Sequence, residues 1–260
     1  MSTAVAQALP TAPSFRLDGR RALVTGGSRG IGLAAATALA QAGAHVTLAA
    51  RDAAGLDAAA TLLQQAGCAC DTLALDVGDR AAVARELGAR APFQILVNNA
   101  GTNRPKPLVD VLDEDIDAVL DLNVKAAFYV ARTVVQGLQA AGLPGSIINV
   151  SSQMGHVGSP RRTLYCASKH AMEGMTKALA WELGRANIRV NTVCPTFIET
   201  ELTRGMFEDA TFRQWVLEKI ALGRLGQIEE TMGAFVFLAS DASSLVTGSA
   251  LMLDGGWTAA

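Results

Sequence analysis

The chain reads as one doubly wound α/β domain, a seven-stranded parallel sheet with helices on both faces. From Arg21 onward, short β-branched or leucine-rich runs alternate with longer amphipathic stretches. That alternation is the pattern of parallel strands joined by right-handed helical crossovers. A glycine-rich turn, Thr25-Gly26-Gly27-Ser28-Arg29-Gly30-Ile31-Gly32, lies directly between the first such strand and the first helix. The composition is 50% hydrophobic with 25 glycines and only 5% aromatics, as close packing of helices on a sheet requires.

The elements follow in order. A short apolar strand at Ala22–Thr25 feeds the glycine turn and an alanine-rich helix at Ile31–Ala42. Strand His45–Ala50 precedes helix Ala53–Ala66, and strand Asp71–Asp76 precedes helix Arg80–Ala89. Strand Ile95–Asn98 leads to one long helix at Ile116–Ala141, and strand Ser146–Val150 to another at Leu164–Leu183. Strand Arg189–Val193, helix Glu229–Ala239 and strand Ala250–Leu253 complete the sheet. Between the sixth and seventh strands, 196–222 inserts partly helical material, and an insertion at the carboxyl edge of such a sheet is a candidate substrate lid. Residues 1–14 are expected to be a flexible arm, and 15–260 the Rossmann-fold cofactor-binding and catalytic domain. No internal repeat or low-complexity linker interrupts it.

Composition excludes several classes. A net charge of −2 steers the chain toward neither nucleic acid nor an anionic membrane. No apolar run reaches the ~18 residues of a membrane span, and the uncharged start lacks the basic region of a signal peptide. The expected location is cytoplasmic. Cys68, Cys70, Cys166 and Cys194 show neither a CxxC pair nor a Cys/His zinc spacing, so they read as small apolar residues and no metal is expected.

The glycine turn suits a dinucleotide pyrophosphate, because glycine admits positive φ and close approach while the helix N–H groups attract the anion. A second set of residues supplies chemistry. Tyr165 and Lys169 stand at i and i+4 of one helix face, so an ammonium can sit beside a phenol. That ammonium and an oxidised nicotinamide both pull the phenol down from its usual pKa of about 10, making Tyr165 the candidate general acid/base. Ser152, emerging at the same sheet edge, can donate to a substrate oxygen as charge grows on it. Asn123 is a poor helix former in mid-helix, which suggests a specific role there.

These motifs, TGGSRGIG (25–32), Asp76-Val77, NNAG (98–101), Asn123, Ser152, Tyr165 to Lys169 and Pro195, resemble the compact members of the short-chain dehydrogenase/reductase family. The resemblance runs from about Leu17 to Thr258. It selects Ser152 over Ser151 and implies that Asn123 relays protons through water to Lys169. It also implies that Lys169 holds the nicotinamide ribose. By the same resemblance, Gly26, Ser28, Arg29 and Ile31 cradle the phosphates, Asp76 and Val77 contact the adenine, and Asn99, Ala100 and Gly101 line its ribose. Pro195 through Thr200, with the backbone of Ile198, hold the carboxamide and pyrophosphate. The family's usual glycine after Pro195 is Thr196 here, which narrows the expected nicotinamide pocket. Subunit pairing through the Tyr165 helix and through the C-terminal segment, as a homotetramer or homodimer, is implied likewise.

An acidic residue at the end of the second strand would bond the adenine ribose and repel a 2′-phosphate. Here the position is Ala50, followed by Arg51, with Arg29 nearby. Two guanidiniums grip a phosphate, so NADP is expected, with Asp52 leaving NAD possible. On the substrate side, Gln153, His156, Arg161, Arg162, Arg104 and Lys106 are candidates around Ser152 and Tyr165. They point to a polar or carboxylate-bearing alcohol or ketone, such as a sugar acid or polyol. The resemblance extends to gluconate 5-dehydrogenase-type and 3-oxoacyl-carrier-protein reductase-type members. The second enzyme reading would use those cations as a basic patch for an acidic carrier. A non-catalytic nucleotide sensor is the alternative of another class, and it would have no need of the phenol. His156 and His170 receive no catalytic role.

Overall fold

A computed structural model describes residues 9–200, 203 and 205–259. It contains one seven-stranded, wholly parallel sheet in the order β3-β2-β1-β4-β5-β6-β7. The strands are β1 (Arg21–Thr25), β2 (His45–Ala50), β3 (Cys70–Ala74), β4 (Ile95–Asn98), β5 (Gly145–Val150), β6 (Ile188–Pro195) and β7 (Ala250–Leu253). Helices α1 (Gly30–Gln41), α2 (Ala53–Gln65), α3 (Arg80–Gly88), α4 (Asp113–Leu120), α5 (Ala127–Ala141), α6 (Thr163–Leu183), α7 (Ala210–Lys219) and α8 (Met232–Ala239) accompany them. The expected arm falls partly outside the described residues, at 1–8, and residues 9–14 are exposed without regular structure.

Strand alternation divides the interior into two cores. Ala22 and Val24 face one side with α1, α2 and α8, where Leu39, Leu56, Leu63, Phe235 and Leu238 pack. Leu23, between them, faces the other with Val83, Val130, Val134, Leu138 and Leu183 from α3, α5 and α6. Successive side chains of a strand point to opposite faces, so a sheet with helices on both sides needs both faces apolar. The order reverses direction between β1 and β4, which opens the crevice where ligands bind in this architecture.

Two expected elements differ. The long helix Ile116–Ala141 is interrupted, since a π-helical turn at Asp121–Ala126 separates α4 from α5. Asn123 sits within that turn, and π turns inside helices recur at functional positions. The third strand ends at Ala74, two residues short of the expected Asp76, because its pairing with β2 stops at Ala50–Ala74. The segment 196–222 carries a 3₁₀ turn at Gly205–Phe207 and α7, with Glu201, Leu202 and Arg204 outside the described residues. It holds a third apolar cluster in which Phe197, Phe207, Phe212, Trp215 and Trp257 meet ring to ring at 5.6–6.1 Å.

Candidate active site

The glycine turn is shaped by close approach. A Cβ on Gly32 would lie 2.2 Å from the Gly26 carbonyl oxygen and 2.5 Å from Asn99 Nδ2, and Gly26 itself takes φ +63. No larger residue fits at Gly32. The start of α1 has no side-chain cap and no acidic residue in its first turn, so its N–H groups remain available to an anion. Thr25 closes the crevice: its Oγ1 accepts from the Asn99 and Ala100 N–H groups at 3.0 and 3.1 Å. Asn99 Nδ2 returns to the Thr25 and Gly26 carbonyls. A cradle that excludes side chains at a helix start fits a dinucleotide pyrophosphate.

Around this crevice the other expected cofactor residues gather at the carboxyl ends of the strands. Asp76 is exposed and caps the Gly78 N–H at 2.9 Å, with Val77 buried behind it. Arg51 follows the last residue of β2, and neither it nor Arg29 is in an ion pair among the described residues. Both are exposed, as is Asp52, which stands as N-cap of α2 beyond the strand end. Pro195 closes β6, while Ile198 bridges to Gly226 and Thr200 is held by Thr203. Thr196 donates its N–H to the Leu253 carbonyl, and its buried Oγ1 has no partner among the described residues.

Tyr165, Ser152 and Lys169 are brought together by three elements. A buried ladder pins α6 to the sheet: Asn98 Nδ2 donates to Asn149 Oδ1 at 3.0 Å, and Asn149 Nδ2 to Thr176 Oγ1 at 2.8 Å. Lys169, one turn after Tyr165, is buried and donates Nζ to the Val150 carbonyl at 2.8 Å, 5.5 Å from the Tyr165 ring centroid. Burial pushes the Tyr165 phenol up to about 12, against a hydrogen bond from Ser152. Burial pulls Lys169 down to about 8, with Cys194 and Glu173 opposing. The protein by itself thus keeps the phenol protonated, and the lowered pKa expected from the sequence invokes an oxidised nicotinamide as well as Lys169. Ser152 Oγ donates to Gln153 Oε1 at 2.6 Å and accepts from Met154 N–H at 3.1 Å. Gln153 therefore orients the serine hydroxyl.

Asn123 is fully engaged by its neighbours. Nδ2 donates to the Thr102 carbonyl at 2.9 Å and to Ser168 Oγ at 3.0 Å, and Oδ1 accepts from Thr102 N–H. It touches the neighbours of Gly101 and Lys169 rather than Lys169 itself.

The candidate cations split. Arg104 and Lys106 both bind Asp115, at 3.0 and 2.5 Å, and Asp115 also accepts from Leu112 N–H. Lys106, then Arg104, then the Leu112 amide hold this carboxyl, only 2% exposed, at about 2. One carboxylate between two cations leaves a net charge of +1, with the Arg104 side chain 46% and the Lys106 side chain 36% exposed. Arg161 is exposed in a left-handed backbone conformation, φ +60. Arg162 is different: only 7% exposed, it lies over Phe197 and Phe212 at 5.4 and 5.7 Å. Burial lowers its pKa. Among the described residues no carboxylate pairs with it. Strand spacing gave no sign of this cage, because Phe197 and Phe212 come from the insertion.

Residues 26–258 match a family model described as enoyl-(acyl carrier protein) reductase. Gluconate 5-dehydrogenase of Gluconobacter oxydans is 40% identical over 251 residues, covering 94% of this chain and 96% of its own. A 3-oxoacyl-[acyl-carrier-protein] reductase of Thermotoga maritima is 41% identical over 246 residues, covering 93% and 99%. The crystal structure of a gluconate 5-dehydrogenase from Burkholderia cenocepacia, in complex with NADP and tartrate, superposes with a TM-score of 0.91 at 38% identity. It covers 95% of this chain and 98% of that one. With its dinucleotide cradle and its tyrosine–lysine pair, the chain belongs to the short-chain dehydrogenase/reductase family and is an NAD(P)-dependent oxidoreductase of CH–OH groups.

Proposed function

We propose that the protein is an NADP(H)-dependent dehydrogenase/reductase of a carboxylate-bearing polyhydroxy compound such as a sugar acid. The observation that carries this is Arg162, a buried guanidinium caged by aromatics beside Tyr165 with no carboxylate partner among the described residues. A buried charge costs several kcal/mol unless paired, and a planar fork suits a carboxylate. The relatives named gluconate 5-dehydrogenase support the same class. The acyl-carrier reading has less support, because Asp115 offsets one of the two charges of Arg104 and Lys106 and Arg162 is buried.

When bound, the nicotinamide supplies or accepts hydride at C4. Tyr165 moves the proton at the substrate oxygen. Ser152 exchanges its bond to Gln153 Oε1 for that oxygen and steadies the charge developing there. Lys169 holds a positive charge under the phenol and reaches the nicotinamide ribose. Asn123 ties the 101–103 loop to α6 and relays protons through water to Lys169. Gly26, Ser28, Arg29, Ile31, Asn99, Ala100, Gly101, Asp76, Val77, Pro195, Ile198 and Thr200 hold the cofactor, with Arg51 and Arg29 at the 2′-phosphate. The insertion 196–222 closes over the substrate as a lid.

The protein works in the cytoplasm as a homodimer or homotetramer. Among the described residues no helix is long and apolar enough to cross a membrane. Trp181 on α6 is 90% exposed, Phe128 on α5 is exposed, and β7 is half-exposed along its length, all apolar surface suited to subunit contact.

The test is absorbance of reduced nicotinamide with NADP⁺ and NAD⁺ against sugar acids, neutral polyols and 3-oxoacyl thioesters. Sugar acids should turn over with NADP⁺. Arg162→Ala should raise KM for them at least tenfold and leave neutral polyols unchanged. Tyr165→Phe should abolish turnover and keep cofactor binding, which a pure sensor would not show. Activity confined to thioesters would overturn the assignment.

A further inference from the structure

Beside the elements that carry the catalytic residues lies a second constellation. His156 follows the 3₁₀ turn after β5, Glu173 lies on α6 one turn beyond Lys169, and Cys194 is the residue before Pro195 in β6. His156 Nε2 stands 3.4 Å from Glu173 Oε1 and 3.6 Å from Cys194 Sγ. Cys194 Sγ is 3.4 Å from the same Oε1. We propose that His156, Glu173 and Cys194 form a binding site for a zinc-class divalent cation, with a fourth position left to solvent.

The geometry carries this. Metal–ligand bonds of about 2.0–2.3 Å at a tetrahedral angle place ligand atoms roughly 3.3–3.6 Å apart, and all three edges of this triangle fall there. As a hydrogen bond between imidazole and carboxylate, 3.4 Å is long, since charge-assisted pairs close to about 2.7–2.9 Å. Imidazole, thiolate and carboxylate in this arrangement select a borderline cation over calcium or magnesium. Glu173 is 5% exposed, and no lysine or arginine pairs with it among the described residues. Thr192 Oγ1 donates to its other oxygen at 3.1 Å, the kind of outer bond that fixes a ligating carboxylate. Ser151 Oγ, buried beside Cys194, borders the same space: a Cβ on Gly155 would meet it at 2.8 Å and Glu173 Cγ at 3.2 Å. His156 is exposed and gives an entry path.

Loading breaks the Cys194 S–H bond, forms a metal–sulfur bond and releases the proton to solvent, while His156 binds as neutral imidazole. Coordination by the cation is what ionises the thiol near neutrality. Once bound, the cation ties together the elements that carry Ser152, Lys169 and Pro195, a clamp on the catalytic edge. Sequence spacing does not reveal the site, because its ligands come from three separate elements.

The test is Co²⁺ titration of the chelator-treated, full-length protein. One Co²⁺ per chain should bind with a thiolate-to-cobalt charge-transfer band in the near ultraviolet, release one proton and raise Tm. His156→Ala and Cys194→Ala should each remove that band, whereas Cys68→Ala and Cys70→Ala should retain it. His156 is solvent-facing, so its variant should keep the far-ultraviolet circular dichroism of the folded chain. Absence of the band at saturating Co²⁺, or its survival in His156→Ala or Cys194→Ala, would overturn the site.

Discussion

Replacing Lys169 by Met separates stability from turnover. The ammonium is buried, and its pKa falls from the ordinary 10.5 to about 8. At about 1.4 kcal/mol per tenfold, keeping it charged at pH 7 costs the fold ~3 kcal/mol. Methionine has a similar shape without the charge, but it leaves the Val150 carbonyl without its partner at 2.8 Å, a loss of about 1–3 kcal/mol. The net effect at pH 7 is a gain of roughly 0–2 kcal/mol with turnover abolished. The sign extends to pH. Between pH 8 and 10.5 the unfolded chain binds the lysine proton and the folded chain does not, so stability rises with pH. Below 8 both states are protonated and the contribution is constant, while Tyr165, raised from 10 to about 12, acts only above 10. Cys194, held at about 12 against an ordinary 9, works the other way above pH 9 in both proteins, so urea unfolding from pH 7 to 10 should show the wild-type-minus-variant difference rising over this window. A variant less stable than wild type by more than about 2 kcal/mol at pH 7 would refute the reasoning.

Three further outcomes follow from the geometry. Gly32→Ala places a methyl 2.2 Å from the Gly26 carbonyl, so calorimetry should show cofactor binding lost while circular dichroism stays native. Arg51→Ala should lower kcat/KM with NADPH about 10- to 100-fold, the worth of roughly 1.5–3 kcal/mol in charge-assisted hydrogen bonds, and leave NADH within twofold. Phe235→Ala empties a fully buried position of α8. It should cost about 3–5 kcal/mol of unfolding free energy in urea.

The sequence alone determined the parallel sheet and its crossovers, because apolar strand runs and helical periodicity are local signals set by which faces must be buried. It also marked the glycine turn, Ser152, Tyr165 and Lys169, whose spacing along single elements matches the chemistry they serve. It did not show the π turn around Asn123, since a π turn differs from an α-helix by one shifted hydrogen bond and has no distinct residue pattern. It treated Arg104, Lys106, Arg161 and Arg162 as one cationic set. Tertiary packing divided them, because Asp115 on α4 reaches two of them and the aromatic insertion encloses Arg162. Burial, a property of the assembled core, also sets the Tyr165 phenol high in the protein alone, against which Lys169 and an oxidised nicotinamide would act. Contacts between distant segments decide charge and burial, and no spacing along the chain encodes them. His156, Glu173 and Cys194 meet for that reason and stay invisible until β5, α6 and β6 are side by side.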